Sequence, residues 1–192
     1  MTNHHVDFPS DVSPIFWGEI SPCEHIAQFY DTDAVFLDTL AGFIGGGLIA
    51  GEGSIVIATM PHLKALEQRL DRAGVDVAQA MVEGRYIAMG ADTALTRFMV
   101  KQWPDDQLFA EFVTGLITRA QQNGRRVRAF GEMVALLWAR GNIAATIRLE
   151  RLWHEICKSQ NFSLLCAYPK TGCTEDASES IAEICAAHTR VI

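Results

Sequence analysis

GEGSIVIATMPHLKALEQRLDRAG, residues 51–74, decides the fold class. Gly51, Glu52 and Gly53 turn the chain. SIVIAT at 54–59 is then apolar and rich in β-branched residues with no polar face, the pattern of a strand covered on both sides. Pro61 suits the first turn of a helix, where its missing N–H costs nothing. Leu63, Leu66, Leu70 and Ala73 recur at the helical period, and Gly74 stops the helix. A doubly buried strand running straight into a helix is half of a βαβ crossover, which predicts a parallel sheet.

The same alternation extends in both directions. Upstream, HIAQFY at 25–30 is a short apolar strand, and Asp31-Thr32-Asp33 supplies N-cap residues. The helix they open runs from about Ala34 to Leu48, with Phe36, Leu40, Phe43 and Ile44 on one face. Downstream, a short helix around Val77 to Val82 leads through Gly84 to the strand RYIAM at 85–89. ADTALTRFMV at 91–100 reads as a helix, and Pro104 opens a longer one with Leu108, Phe112, Leu116 and Ala120 as its stripe. RVRAF at 126–130 is the fourth strand. Gly131 and Glu132 lead into the helix MVALLWAR, and IAATIRLERLWHEICKSQ at 143–160 is another, with Leu149, Leu152, Trp153 and Ile156 inward. NFSLLCAYP at 161–169 is the fifth strand, and a helix from about Glu175 to Ala187 finishes the chain. Five apolar strands separated by helices predict an α/β fold of three layers, a mostly parallel central sheet with helices on both faces.

With 192 residues, 49% of them hydrophobic, the chain has enough apolar surface for one packed core. Residues 23–192 read as a single domain. Residues 1–22, which include Pro14-Ile15-Phe16-Trp17, read as an N-terminal arm lying over it. No apolar run reaches the roughly 18 residues of a membrane span; the stretch from Val35 to Ala50 is broken by Asp38 and by Gly45, Gly46 and Gly47. MTNHHVDFPSD lacks the basic flank and apolar stretch of a secretory leader, so a cytoplasmic location and no membrane partner are expected. A net charge of −7 argues against direct contact with nucleic acid. The short basic run of Arg125, Arg126 and Arg128 reads as a solvated approach to its strand. Five cysteines, at 23, 157, 166, 173 and 185, contain no CxxC pair and make neither a disulfide framework nor a zinc motif. Cys23-x-His25 lacks a second ligand pair, and Cys166 reads as a small core residue, so neither a metal nor a cofactor is expected.

Ligands of open parallel sheets sit at the carboxyl ends of the strands. The residues there are Phe29, Tyr30 and Asp31; Thr59 and His62; Met89 and Asp92; Gly131 and Glu132; and Tyr168 and Lys170. Glu132 stands between an apolar strand and an apolar helix, where it cannot be fully hydrated and needs a partner. Arg128, Arg148 and His25 are the candidates. Both an ion pair closing the end of the sheet and a ligand contact fit that position. His25 suits a structural or a binding role, and Tyr168 is placed to reach the same crevice. Trp138 and Trp153 fall on helical periods with other apolar residues and read as core. Glu150 and His154, four apart, read as a solvated helix pair.

Catalytic signatures are missing, and no catalytic residue is assigned. A phosphate cradle needs glycines, a lysine and a hydroxyl at the turn into a helix. The glycine-rich stretch GGGLIAGEG at 45–53 has no lysine, and the first lysine of the chain is Lys64. There is also no GxSxG, HExxH or strand-terminal GxGxxG.

The order of HIAQFYDTDAVFLDTLAGFIGGGLIAGEGSIVIAT, HLKALEQRLDRAGVD, EGRYIAM, RVRAFGEMVALLWARGN, RLERLWHEICK and FSLLCAYP resembles the MEDS domain, named for methanogens, methylotrophs and a dichloromethane-responsive regulator. The likeness covers about residues 23 to 192. Its most specific pieces are His25 to Tyr30, Phe130-Gly131-Glu132 and Cys166-Ala167-Tyr168-Pro169. The resemblance implies a RecA/KaiC-like fold that has lost its phosphate-binding loop, and a non-catalytic role in prokaryotic signal transduction sensing small organic molecules. The residues it marks for ligand binding are His25, Phe29, Tyr30, Glu132, Arg148 and Tyr168. No kinase, receiver or helix-turn-helix segment follows the domain, so the expected partner is a histidine kinase or transcription regulator encoded separately. Two other readings stay open: a residual nucleotide-binding or hydrolysing KaiC-like protein with Glu132 as acid/base, and a protein-binding dimeric adaptor using Phe16 and Trp17.

Overall fold

The computed structural model describes residues 20–21, 23–172 and 177–192; the arm expected over residues 1–22, Phe16 and Trp17 included, lies outside them except for residues 20–21. In chain order the elements are β1 (His25–Tyr30), α1 (Asp33–Ile49), β2 (Gly53–Ala58), α2 (Met60–Arg72), α3 (Val77–Val82), β3 (Tyr86–Gly90), α4 (Ala91–Leu95), β4 (Met99–Val100), β5 (Trp103–Pro104), α5 (Asp106–Ala120), β6 (Val127–Gly131), α6 (Met133–Ala139), α7 (Ile143–Gln160), β7 (Ser163–Pro169), α8 (Ser178–Ala186) and β8 (Arg190–Val191). Six strands form one sheet in the order β3-β2-β6-β7-β1-β8, and every neighbouring pair is parallel.

Because strand residues alternate between faces, the sheet divides the interior into two cores. Ile26, Tyr30, Val56, Phe130, Leu165 and Ala167 pack against α1 and α2, through Phe36, Leu40, Phe43, Ile44, Leu63, Leu66 and Leu70. Ala27, Phe29, Ile55, Ile57, Ala129, Leu164, Cys166 and Tyr168 face α4 to α8. Each large apolar side chain so buried contributes roughly 1.5–3 kcal/mol, so the paired cores are what hold three layers together. Trp138 and Trp153 are both in the second core, as their spacing predicts.

Two connections matter for function. β2 passes to α2 on the first face, while its neighbour β6 passes to α6 on the second. β1 and β7 diverge in the same way, to α1 and α8. Divergence of adjacent strand exits marks where open parallel sheets form a ligand crevice, at the carboxyl edge of the sheet.

The structure departs from the sequence reading in several places. The helix expected over 91–100 stops at Leu95. Phe98 is instead buried edge-on to Phe109, with centroids 5.0 Å apart, and its carbonyl accepts from Asp105 N at 2.8 Å. Met99–Val100 then pairs antiparallel with Trp103–Pro104, through a two-residue turn in which Lys101 and Gln102 both take positive φ, the hairpin geometry matched to strand twist. Pro104 consequently ends a strand. The helix begins at Asp106 under an Asp105 cap whose carboxylate accepts from Leu108 N at 2.9 Å. A sixth strand, Arg190–Val191, was not expected; it adds an edge beside β1. Among the described residues no helix is long and apolar enough to cross a membrane.

Candidate functional site

Glu132 caps the exit of β6, and its own N–H continues the sheet by donating to Ile57 O at 2.8 Å. This places its carboxylate at the divergence of β2 and β6. One carboxylate oxygen accepts from Thr59 N at 2.7 Å, and the other lies 2.8 Å from His62 Nδ1. Thr59 and His62 sit at the end of β2 and in the first turn of α2, so the acid of one strand is held by the next strand's exit. Gly131 lets the chain pass close beside it: a Cβ there would lie 3.3 Å from the Trp153 indole, a tight contact that the ring would have to yield to. None of the three partners expected for Glu132 fills the role. Arg128 points to the opposite, amino end of the sheet and pairs with Glu52 at 2.5 Å. Arg148 pairs with Asp106 on the surface, and His25 belongs elsewhere.

Aromatic rings extend the site toward β1. Phe36 meets His62 edge-on at 5.1 Å and stacks on Tyr30 at 4.9 Å. Asp33, at the start of α1, lies 3.7 Å from His62 Nε2. Burial and the negative charges of Asp33 and Glu132 push the Tyr30 hydroxyl up to about 12, so it stays protonated as a donor. The hydrogen bond to Glu132 lifts His62 above its usual 6.5 against the opposing effect of partial burial, with Asp33 adding to the lift. A raised native pKa stabilises the fold below the unfolded value and is lost as pH rises through the native one. The stability advantage of wild type over His62→Ala, measured by urea unfolding across a pH series, is therefore expected to be full below pH 6.5 and to fade as pH rises above it.

His25 and Tyr168 form a different cluster, on the α7–α8 side of the sheet. The His25 Nε2 lies 3.3 Å from Glu150 Oε2, Tyr168 donates its hydroxyl to Glu150 Oε1, and His188 Nε2 is 3.4 Å from Glu150 Oε2. Cys166 Sγ sits 3.5 Å from both His25 Nε2 and Glu150 Oε2. Phe29 stacks on Tyr168 at 5.5 Å. The residues expected to share one pocket thus divide: Tyr30 and Glu132 in the β2/β6 crevice, His25, Phe29 and Tyr168 behind the sheet, and Arg148 in neither.

Glu150 is fully buried, contrary to its reading as one half of a solvated pair with His154. Burial works against the ionised carboxyl, but His188, His25 and Tyr168 outweigh it and hold the group down at about 2. Burial also pushes the His188 imidazolium down. Glu150 opposes that shift without overcoming it, so a charged His188 ring is disfavoured. Cys166 is buried as expected of a core residue, but it carries polar partners that its apolar flanks do not announce.

A third feature is an open cleft of about 560 Å³ lined by Asp92, Leu95, Met99, Leu137, Arg140 and Asn142, among others. It lies beyond the far end of α6 from Glu132. Its charged pair, Asp92 and Arg140, is exposed, whereas Glu132 is buried and oriented from three directions. The size of the cleft weighs less than that preorganisation.

The family model described as MEDS: MEthanogen/methylotroph, DcmR Sensory domain matches residues 24–189. The match includes Glu132 and His62 and also the whole cluster around Glu150. No curated protein matches the chain.

Proposed function

The chain belongs to the MEDS family of sensory domains, and from that premise we propose that it senses a small organic molecule, without converting it, in the crevice where β2 and β6 diverge. The observation that carries this reading is the Glu132 carboxylate, buried at a strand exit and fixed by Thr59 N and His62. A polar group preorganised at the carboxyl edge of a parallel sheet supports recognition of a ligand's hydroxyl or amine. Tyr30 and Phe36 supply an aromatic wall, and α1 and α2, which carry Asp33 and His62, are the elements whose position ligand contact would bias. The signal then passes to a histidine kinase or transcription regulator on a separate chain.

Nucleotide binding finds less support. The connection from β1 to α1 is Asp31-Thr32, with neither glycine nor lysine to cradle phosphate.

A thermal-shift screen of small alcohols, amines, halogenated hydrocarbons and carboxylic acids, with Mg-ATP as a separate arm, tests the reading. At a concentration 100 times the dissociation constant, a true ligand stabilises by about 2.7 kcal/mol. Glu132→Gln is expected to abolish that shift while keeping the wild-type circular dichroism spectrum. No shift from any organic compound, or an equal shift in Glu132→Gln, would overturn it. A shift from Mg-ATP alone would favour the nucleotide reading.

A further inference from the structure

Behind the sheet, four groups from four separate segments turn toward one point. His25 heads β1, Glu150 is in the middle of α7, Cys166 is in β7, and His188 lies between α8 and β8. One ligand atom from each lies within 4.8 Å of those of the other three. Four of the six spacings are those of a coordination polyhedron. Tetrahedral arms of about 2.0–2.1 Å have edges of about 3.3–3.4 Å, rising to about 3.5–3.6 Å where one arm is a metal–sulfur bond. Here His25 and His188 lie 3.3 and 3.4 Å from the shared Glu150 oxygen, and the two edges involving Cys166 measure 3.5 Å.

The orienting partners have the same character. His25 Nδ1 lies 3.1 Å from Ala187 O and His188 Nδ1 lies 2.6 Å from Ile184 O. A proton donated there leaves each Nε2 as a lone pair facing inward. Tyr168 occupies the outer oxygen of Glu150 and leaves Oε2 turned toward the centre. Histidine ligands of metals are held in this way, with the remote nitrogen on a carbonyl and the ligating carboxylate hydrogen-bonded from behind. Without a cation, two imidazole lone pairs and a carboxylate would confront one another in a buried space. His188 Nε2 shows the consequence, for among the described residues it has no hydrogen-bond partner of good geometry, only the Glu150 oxygen at 3.4 Å, and its side chain is 0% exposed.

We propose that His25, Glu150, Cys166 and His188 bind a single divalent transition-metal ion, with zinc as the class the donor set favours. Two imidazoles, a thiolate and a carboxylate select zinc, cobalt or a similar ion over calcium and magnesium, which demand oxygen ligands. Binding releases the Cys166 thiol proton to solvent. The anions of Cys166 and Glu150 then cancel the ion's two positive charges, giving a neutral assembly suited to burial. With four protein ligands the site is closed, so its role is to staple the α8–β8 end of the chain to β1, β7 and α7. A cleft of about 310 Å³ lined by His154, Glu155, Ala186 and Ala187, among others, lies next to the cluster, its His154 ring 5.9 Å from His25. Sequence spacing could not show this set, because its members are scattered from residue 25 to residue 188.

The test uses the full chain, stripped with a chelator and titrated with cobalt(II) as a spectroscopic probe and with zinc in competition. One equivalent of cobalt is expected to bind, with the visible bands of four-coordinate cobalt and a near-ultraviolet thiolate-to-cobalt band. Cys166→Ser is expected to lose the near-ultraviolet band, and Tyr168→Phe, which keeps all four ligands, to bind about 10–100-fold more weakly. His62→Ala, in the other crevice, should bind as wild type. Circular dichroism of each variant separates a lost ligand from a lost fold. Binding of well under one equivalent by folded wild type, or an unchanged cobalt spectrum in folded Cys166→Ser, would overturn the assignment and leave a proton as the cation of the cluster. Neither result bears on the ligand proposed for the Glu132 crevice.

Discussion

Glu150→Ala in chelator-treated protein is expected to lose about 3–5 kcal/mol of stability near neutral pH, the cost of removing one partner of a buried charged network. The reason is what the carboxylate leaves behind. The Tyr168 hydroxyl donates to it, His25 and His188 both turn Nε2 toward it, and all are enclosed between the sheet, α7 and α8. Alanine leaves three polar groups in a buried wall without the acceptor they share. The pH dependence carries a second signature. The Glu150 carboxyl is held at about 2, below its ordinary 4.5. A depressed native value means stability that is complete above 4.5 and drains away as pH falls toward 2. His188, pushed down by burial, acts with the same sign, since the unfolded chain takes up its proton before the native protein does. The gap between wild type and Glu150→Ala in urea unfolding should therefore narrow steadily on acidification below pH 4.5. A variant within about 1 kcal/mol of wild type at neutral pH, below the range for a broken buried pair, would mean that Glu150 is not the electrostatic centre of this cluster.

How far the sequence carries depends on the kind of contact. Apolar runs placed His25–Tyr30 on the residues observed and the other four long strands within about two, since burial on both faces leaves little freedom of register. Glu132 was legible as an acid that could not be hydrated, because strand and helix adjoin it directly. Its partner was not. A strand exit is served by its neighbour in the sheet, and His62 lies 70 residues away by sequence; arginines looked more natural on charge alone. Glu150 was missed for a subtler reason. Its spacing from His154 suggested a surface pair, yet Thr146, Leu149, Trp153, Ile156 and Cys157 are all buried on α7, and on a helical wheel Glu150 falls next to Cys157, at the edge of that buried arc. That register was the available signal. The hairpin at Met99–Pro104 escaped because helix propensity decides little when one buried ring, Phe98, is claimed by a partner later in the chain.

Arg128→Ala is expected to be comparably damaging, again about 3–5 kcal/mol, whereas Arg128→Met should cost much less. Arg128 was read as part of a solvated basic run, but it is only 1% exposed. Its Nε donates to Glu52 at 2.5 Å and its Nη1 to Phe43 O at 3.0 Å, with the guanidinium 5.7 Å from the Phe43 ring centroid. Space for it exists because residue 47 is glycine; a Cβ there would stand 2.9 Å from Arg128 Cδ. The cation lies beneath the last turns of α1, where backbone carbonyls point and positive charge is favoured. Alanine would open a cavity and leave both Glu52 and the Phe43 carbonyl without this donor. Methionine fills most of the volume, so that only the polar losses remain, at the Phe43 carbonyl and at a carboxylate that still has Arg126 at 3.8 Å. Urea unfolding of the two variants separates packing from charge: equal losses would assign Arg128 to electrostatics alone, and losses in both below about 1 kcal/mol would remove it as an anchor. The consequence reaches the crevice. α1 is pinned at its carboxyl end by Arg128 and presents Asp33 and Phe36 to His62 from its amino end. Loosening the anchor should therefore weaken ligand-induced stabilisation in Arg128→Ala although the substitution lies at the opposite edge of the sheet, and the folded Arg128→Met protein, with α1 still seated, should retain it.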